Sequence, residues 1–294
     1  MQTCVIFNPS ARGEKAQAFC SRLNSRHPQF ALRLTTAPGQ ARLLAAQAVR
    51  EGFPTIVAAG GDGTAHEVVN GIADVPGGFA AARLGLLPLG TVNVFARELG
   101  LPADLTGAIQ VLAAGRETTI DLGRVQFEAG GSPPLHFLQL AGAGMDSRAI
   151  ALVSWKLKKK IGRLAYLVAG LAAAREAQPV ITVECERQLS GELVLLGNGR
   201  YYAGSFAFFP GADLRDGLLD ACVFPKAGWR SAARVAAGLL TGRVHRWSPA
   251  VRLRSSRFRL ASASRVLLQL DGENTGELPA TIRVLPKALR VIVP

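Results

Sequence analysis

The stretch IVAAGGDGTAHEVVNGI, residues 56–72, sets a carboxylate, Asp62, among the glycines Gly60, Gly61 and Gly63. A glycine turn leaves its backbone N–H groups bare and suits an anion such as phosphate. Asp62 would repel that anion. A cation between the two removes the conflict, so the loop reads as a holder for a metal–phosphate complex. The competing reading is a plain Asp-Gly turn, which needs no ligand. The loop leads into a helix expected to begin with Thr64, whose N-terminal amides and dipole favour phosphate. No Gly-Lys-Ser/Thr follows the glycines, and His66 stands where the third glycine of G-x-G-x-x-G belongs, so neither a P-loop nor a dinucleotide fingerprint is present.

Two further acidic groups are of interest. Asp213, Asp216 and Asp220 surround the turn DLRDG, as oxygen ligands for a hard cation would, or as a solvated acidic turn would. Asp271 lies in the Asp-Gly turn that ends the strand-like RVLLQLDG and Glu273 follows it, where a strand-rich region hands the chain on to ATIRVLPKALRVIVP. A carboxylate at such a crossing could reach an interdomain cleft. His27, His66, His136 and His245 show no metal spacing or Ser/Asp partner, and read as packing or surface residues.

These residues must be positioned by the elements around them. Residues 1–122 alternate strand and helix: TCVIF ending in NPSARG, a helix AQAFCSRLNSR, a strand ALRLTT, a helix GQARLLAAQAVREG, then the two strand–turn–helix units around GGDGT and LGTVN. This alternation predicts a mostly parallel α/β sheet, in which ligands sit beyond the carboxyl ends of the strands. After TTIDLGRV the texture changes to short strands separated by turns, which predicts an antiparallel sandwich, with helices over 155–175 and 229–240. The expected division is an α/β domain over 1–122, a β-sandwich domain over 123–275, and a return of 276–294 to the first. GAGMDS, 142–147, reads as a tight turn after a strand.

Charge divides along the same line. Residues 1–122 carry ten Lys+Arg and nine Asp+Glu, a net of +1, whereas 123–294 carry the remaining 24 and 12, a net of +12. Such asymmetry points to an anionic partner for the second part. SWKLKKKIGRLAYLVAGL offers Lys156, Lys158, Lys159, Lys160 and Arg163 beside Trp155, Leu157, Ile161 and Leu164. VRLRSSRFRLASASR alternates Arg252, Arg254, Arg257 and Arg259 with apolar residues, with Arg265 beyond, so one strand face is expected to be basic. Without interleaved aromatics or a binding motif, nucleic acid is the poorer partner and an anionic membrane surface the better one. The longest apolar run, Leu164–Ala174, falls well short of the ~20 residues of a membrane-spanning helix. Scattered cysteines (Cys4, Cys20, Cys185, Cys222) and the lack of a basic leader before CVIF fit a cytoplasmic protein.

NPSARG, AAGGDGTAHEVVNGI, LPLGTVNVFAREL, TIDLG, AGAGMD, PGADLRDGLLD and DGE occur in that order from end to end. The chain resembles the bacterial diacylglycerol-kinase-type lipid kinases, the family that includes sphingosine and ceramide kinases. The resemblance implies a nucleotide-binding α/β domain, a β-sandwich lipid domain, and ATP with Mg²⁺. It puts ATP on Asn8, Pro9, Ser10, Ala11 and Arg12, on Thr35, on Gly61, Asp62, Gly63, Thr64, Ala65, His66 and Glu67, and on Thr91. It puts a structural Mg²⁺ near Asp213, Asp216 and the backbone of Leu218, makes Glu273 the proton acceptor, and lines the lipid site with GAGMDS. Among the residues themselves, Glu273 or Asp271 can supply the base that phosphoryl transfer needs, and Asp62 with Mg²⁺ can balance the phosphate charge. One departure stands out: many relatives read Gly-Thr-x-Asn-Asp in the second loop, and here Val94 replaces the second Asp.

The reading is therefore an ATP- and Mg²⁺-dependent lipid kinase of phospholipid biosynthesis, at the inner face of the membrane, with a homodimer left open. Its alternatives are an NAD kinase, against which stands the lack of a Thr-Gly-Ser-Thr-Ala-Tyr motif, and a non-catalytic lipid- or nucleotide-binding regulator. Diacylglycerol, phosphatidylglycerol, a sphingoid base and ceramide all remain open as substrates.

Overall fold

The computed structural model describes residues 2–11, 23, 25, 27, 29–129, 131–144, 178–202, 204, 206–240 and 249–294. The chain forms two compact units, Met1–Ile120 with Lys287–Pro294, and Asp121–Pro286.

In the first unit the order is β1 (Thr3–Phe7), β2 (Phe30–Leu34), α1 (Gln40–Arg50), β3 (Thr55–Gly60), α2 (Asp62–Ala73), α3 (Gly78–Ala81), β4 (Arg83–Pro88), α4 (Val94–Glu98) and α5 (Leu105–Ala114). β1 and β3 are buried at every position, as central strands of a parallel sheet covered by helices must be. β2 pairs with β1, β1 with β3 and β3 with β4, all parallel. α1 buries Ala41, Ala45, Ala48 and Val49, one face at helical spacing, and ends before Gly52 in the left-handed region at φ 83°. Val5, Phe7, Val57, Ala59, Leu87 and Ala108 form a core of this unit. α2 begins at Asp62, two residues before the expected Thr64, because Gly61 in extended conformation already serves as its N-cap. Asp62 thus lies in the first helical turn, where a negative charge is favourable.

β5 (Glu117–Phe127) leads into the second unit, which continues with β6 (Leu135–Phe137), β7 (Leu140–Gly144), β8 (Ile181–Glu184), β9 (Gln188–Gly191), β10 (Leu193–Gly197), β11 (Tyr201–Tyr202), β12 (Phe206–Ala207), β13 (Leu219–Phe224), α6 (Trp229–Leu240), β14 (Val251–Ser255), β15 (Arg257–Ala261), β16 (Leu267–Leu270) and β17 (Glu273–Glu277). β18 (Ala280–Ile292) closes the chain; within it Ala280–Arg283 pair with β15, and Val291 pairs with Leu84 of β4. One antiparallel sheet of the second unit runs β14-β13-β10-β7-β16-β17. β9, β8, β15 and the start of β18 form the other, with β5 and β6 beside them. Side-chain alternation along β10 sends Val194 and Leu196 into one core, with Phe137, Phe258, Leu268 and Ile282, and Leu193 and Leu195 into a second, with Phe208, Phe209 and Phe224. A strand buried on both faces must be apolar at every step, which is why LVLLG carries no alternation.

The expected fold class, an α/β domain with a β-sandwich domain, is the one the molecule adopts. Gly142–Gly144 lie inside β7, a buried central strand, and not in the expected turn; only Gly144, at φ 86°, marks its end. The expected helix over 155–175 and the 145–147 end of GAGMDS lie outside the described residues. Cys4, Cys185 and Cys222 are unpaired, and burial pushes the Cys4 and Cys222 thiols up to about 11 and about 12.

Candidate active site

The parallel register of the first unit decides which loops meet. Phe7 stands level with Leu34 and Ala59, and Gly60 with Pro88. The chain therefore leaves four neighbouring strands at one edge through Asn8–Ala11, Thr35, Gly61 and the segment Leu89–Asn93. Asn8 continues the sheet, its N–H donating to the Ala59 carbonyl at 3.0 Å, while its amide Nδ2 donates to Thr64 Oγ1 at 3.3 Å. Its Oδ1 accepts the Ser10 N–H at 3.0 Å, which shapes the Pro9–Ala11 turn. Thr35, nearly buried, donates its N–H to the Phe7 carbonyl at 2.9 Å. Thr91 is exposed at the fourth loop. Arg12 lies outside the described residues.

The question of a carboxylate in a glycine turn has a local answer. Asp62 Oδ1 accepts the Phe95 N–H at 3.1 Å, so the side chain that opens α2 also caps α4. The fourth loop is folded onto the third: Leu89 donates its N–H to the Gly60 carbonyl at 2.9 Å, and Asn93, itself left-handed at φ 52°, clasps Gly90 through both amide atoms at 3.0 and 2.8 Å. A Cβ on Gly90 would lie 2.6 Å from Gly61 Cα and 2.8 Å from Asn93 Oδ1. Backbone cannot yield as a side chain can, so the two loops touch this closely only because residue 90 is glycine; a Cβ on Gly61 would make ordinary contact, 3.4 Å from Gly90 Cα. Gly90→Ala is expected to force the loops apart, weakening ATP binding measured by calorimetry by about tenfold or more, with a fall in Tm. Unaltered ATP affinity in a folded Gly90→Ala protein would remove the fourth loop from the site.

Glu67 has a different occupation. Its carboxylate accepts the N–H groups of Gly39 and Ala41, both at 2.9 Å, and so caps α1 from the neighbouring helix. His66 is buried, its carbonyl accepting from Asn70 Nδ2 at 2.9 Å, and Ala65 is buried against the core. These three lie on the helix body, away from its first amides, and nothing in the sequence had marked Glu67 as a cap.

In the second unit, Asp271 is left-handed at φ 48° and collects three backbone N–H groups: Leu138 at 2.8 Å, Gln139 at 2.9 Å and Leu140 at 3.1 Å. It ties the β6–β7 connection to the end of β16. Glu273 opens β17 and is exposed, its carboxylate making no hydrogen bond to the described residues. One carboxylate is spent on structure, the other is available for chemistry.

Residues 2–125 match the family model of the diacylglycerol kinase catalytic domain, and 139–293 that of the YegS C-terminal NAD kinase beta sandwich-like domain. The chain belongs to the bacterial diacylglycerol kinase and YegS-like lipid kinase family. It is 34% identical to a Pseudomonas aeruginosa (strain UCBPP-PA14) protein named "Probable lipid kinase YegS-like", over 99% of this chain and 93% of the relative. It is 30% identical to a Bacillus subtilis (strain 168) diacylglycerol kinase, over 99% and 95%. The crystal structure of a diacylglycerol kinase from Bacillus anthracis str. Sterne superposes with a TM-score of 0.76 at 22% identity, covering all of this chain and 97% of the other, a likeness of fold.

For this lipid kinase family member the acidic turn tests the expected structural Mg²⁺. Asp213 Oδ1 accepts the Arg215 N–H at 3.1 Å, and Asp216 Oδ1 accepts the Leu218 N–H at 2.9 Å. The guanidinium of Arg254 bridges Asp216 and Asp220, the latter from Nε at 3.2 Å. Burial raises the Asp220 carboxyl above its usual range, against the pull of Arg254. Among the described residues no group of three or more His, Cys, Asp or Glu is placed to hold a metal. Side-chain cations, Arg215 on Asp213 and Arg254 on Asp216, already share oxygens that a metal would need, and no step is routed through one. Chelation by EDTA is expected to leave the Tm of the nucleotide-free protein unchanged, while Arg254→Gln lowers it and makes it rise with added Mg²⁺. A wild-type Tm that falls on chelation would return the turn to a metal.

The family member's basic stretch also differs from expectation. β14 and β15 pair into different sheets, and two of their four arginines are neutralised, Arg254 by Asp216 and Asp220 and Arg259 by Glu128 and Glu184; Arg265, beyond β15, is neutralised by Glu277. Arg252 donates to the Phe208 carbonyl at 3.2 Å. The expected basic face is therefore paired in part, because alternation reports which side chains point outward but not what waits across the strand. Arg259 and Arg265 hold Glu128 and Glu277 below the usual 4.5, so what these pairs contribute is present above that pH and lost as pH falls through the lowered values. Lys156, Lys158, Lys159, Lys160 and Arg163 lie outside the described residues.

Proposed function

We propose that this chain is an ATP- and Mg²⁺-dependent lipid kinase that passes the γ-phosphate of ATP to a hydroxyl of a membrane lipid. The observation that carries the reading is the meeting of Asn8, Thr35, the glycine loop with Asp62, and the Gly90–Asn93 loop at one edge of the parallel sheet, where α/β sheets take their ligands. The bare amides at the start of α2 receive phosphate oxygens, and Thr64 and Thr91 stand beside them as hydroxyl donors. Asp62 is a half-buried hard-oxygen donor that suits Mg²⁺. Mg²⁺, when bound, neutralises charge on the transferring phosphate. Glu273 accepts the proton of the lipid hydroxyl as its oxygen bonds to the γ-phosphorus and the bond to ADP breaks; Asp271 holds the turn from which Glu273 projects.

The partner surface is an anionic membrane approached from the cytoplasm, which the +12 balance of residues 123–294 and the unpaired cysteines support. No helix of the described residues is long and apolar enough to cross a membrane. Val94 in place of the relatives' second Asp leaves the headgroup side of the acceptor without that carboxylate. The test is transfer from radiolabelled ATP to a panel of diacylglycerol, phosphatidylglycerol, a sphingoid base and ceramide in detergent micelles. NAD⁺ belongs in the same panel, since the second family model is described as NAD kinase-like. Label on NAD⁺ alone would favour the NAD kinase reading, and ATP binding without transfer to any acceptor a regulator.

A further inference from the structure

Four large apolar side chains are exposed among the described residues: Leu34, Leu43, Val180 and Trp229. Two of them sit beside arginines already committed to carboxylates, Arg33 with Glu51 next to Leu34, and Arg42 with Asp74 next to Leu43. Trp229 differs. It is 64% exposed at the start of α6, and Arg230 lies over its ring with the guanidinium carbon 5.6 Å from the centroid. Arg230 and Arg234, one turn apart, are exposed and have no carboxylate partner among the described residues, and the sequence of α6, WRSAARVAAGLL, has no acidic residue. Trp229 and Ala233 form a second i, i+4 pair beside them, so one outward stripe joins a large aromatic, a small residue and two cations.

The helix is held firmly behind this stripe. Val235 packs against the cluster of Phe208, Phe209 and Phe224, and Ala227 just before the helix is fully buried in it. The Ala227 N–H donates to Glu192 Oε2 at 2.9 Å, and Ser231 Oγ donates to the Lys226 carbonyl at 2.6 Å. Arg230 covers one side of the indole and thereby keeps it turned toward solvent. In water an indole so placed gains nothing from burial. At the headgroup level of a bilayer its apolar ring and N–H are both satisfied, and flanking arginines meet lipid phosphates.

We infer that the outward stripe of α6, Trp229 with Arg230 and Arg234, is a membrane-docking surface that inserts Trp229 into the headgroup region of an anionic phospholipid bilayer. The inference deepens the lipid-kinase reading and rests on it for the reason a bilayer is approached at all. The full chain carrying Trp155→Phe and Trp247→Phe, with Trp229 as sole reporter, is mixed with vesicles of phosphatidylcholine alone or with phosphatidylglycerol. Trp229 emission is expected to shift to the blue and be quenched by brominated acyl chains only on the mixed vesicles, and to recover as salt is raised. Arg230→Gln with Arg234→Gln, and separately Trp229→Ser, should each weaken partitioning to mixed vesicles by about tenfold. Both variants should keep wild-type phosphorylation of lipid dispersed in neutral micelles. Co-sedimentation with mixed vesicles while Trp229 emission stays that of water would overturn the inference by moving the contact elsewhere; failure to sediment with them would overturn it outright. A lack of phosphorylation in micelles tells against the kinase reading alone, and the fluorescence still decides the helix.

Discussion

Asp62→Asn is expected to fold as the wild type does and to lose about 10²–10³-fold in kcat, the scale on which removing one preorganised electrostatic group acts. The choice of asparagine follows from the contact with α4. Asp62 Oδ1 accepts the Phe95 N–H at 3.1 Å, and an asparagine keeps an oxygen for that bond while losing the charge that would hold Mg²⁺. Asp62→Ala removes both, so it should show the same loss of turnover and a further destabilisation of ~1 kcal/mol for the missing cap. The pair separates two roles that one substitution would confuse. If Asp62→Asn turns over normally and Asp62→Ala only lowers Tm, the carboxylate is a capping group and the metal-bridge reading of the loop is wrong.

Glu273→Gln should lower kcat by about 10²–10⁴-fold with ATP affinity nearly unchanged, since glutamine keeps the size and hydrogen bonding of the side chain but cannot take the hydroxyl proton. Asp271→Asn should behave in another way. Three backbone N–H groups converge on that carboxylate, and an amide offers them one oxygen in place of two and turns an NH₂ toward the rest. A loss of about 1–3 kcal/mol in stability follows, seen as a lower denaturation midpoint, with kcat falling only as far as the turn beneath Glu273 loosens. Normal kcat in Glu273→Gln together with a collapse in stable Asp271→Asn would exchange the two roles. Normal kcat in both would place the base on another residue.

Much of this molecule was legible before its structure. Buried strands show as unbroken apolar runs, TCVIF and TIVAAG among them, because both faces of a covered parallel strand meet protein. Helices show as one-sided spacing, as in α1, and their ends as glycine and turn residues, because these preferences act within a few residues of chain. The glycine loop was marked by its own residues, and Asn8 by ending a strand, whereas Thr35 and Thr91 were singled out by the family resemblance. What the sequence could not show were the partners supplied from elsewhere in the chain. Asp62 capping α4, Glu67 capping α1, Gly90 pressed on Gly61, Asp271 gathering three amides and Arg254 bridging two aspartates all join residues 26 to 133 positions apart. A charge or a glycine in a sequence states what a residue is able to do. Which of several possible partners it meets is settled by strand register and helix packing, since a hydrogen bond or ion pair reaches only a few ångströms and the chain must first be folded to bring its two ends within that distance.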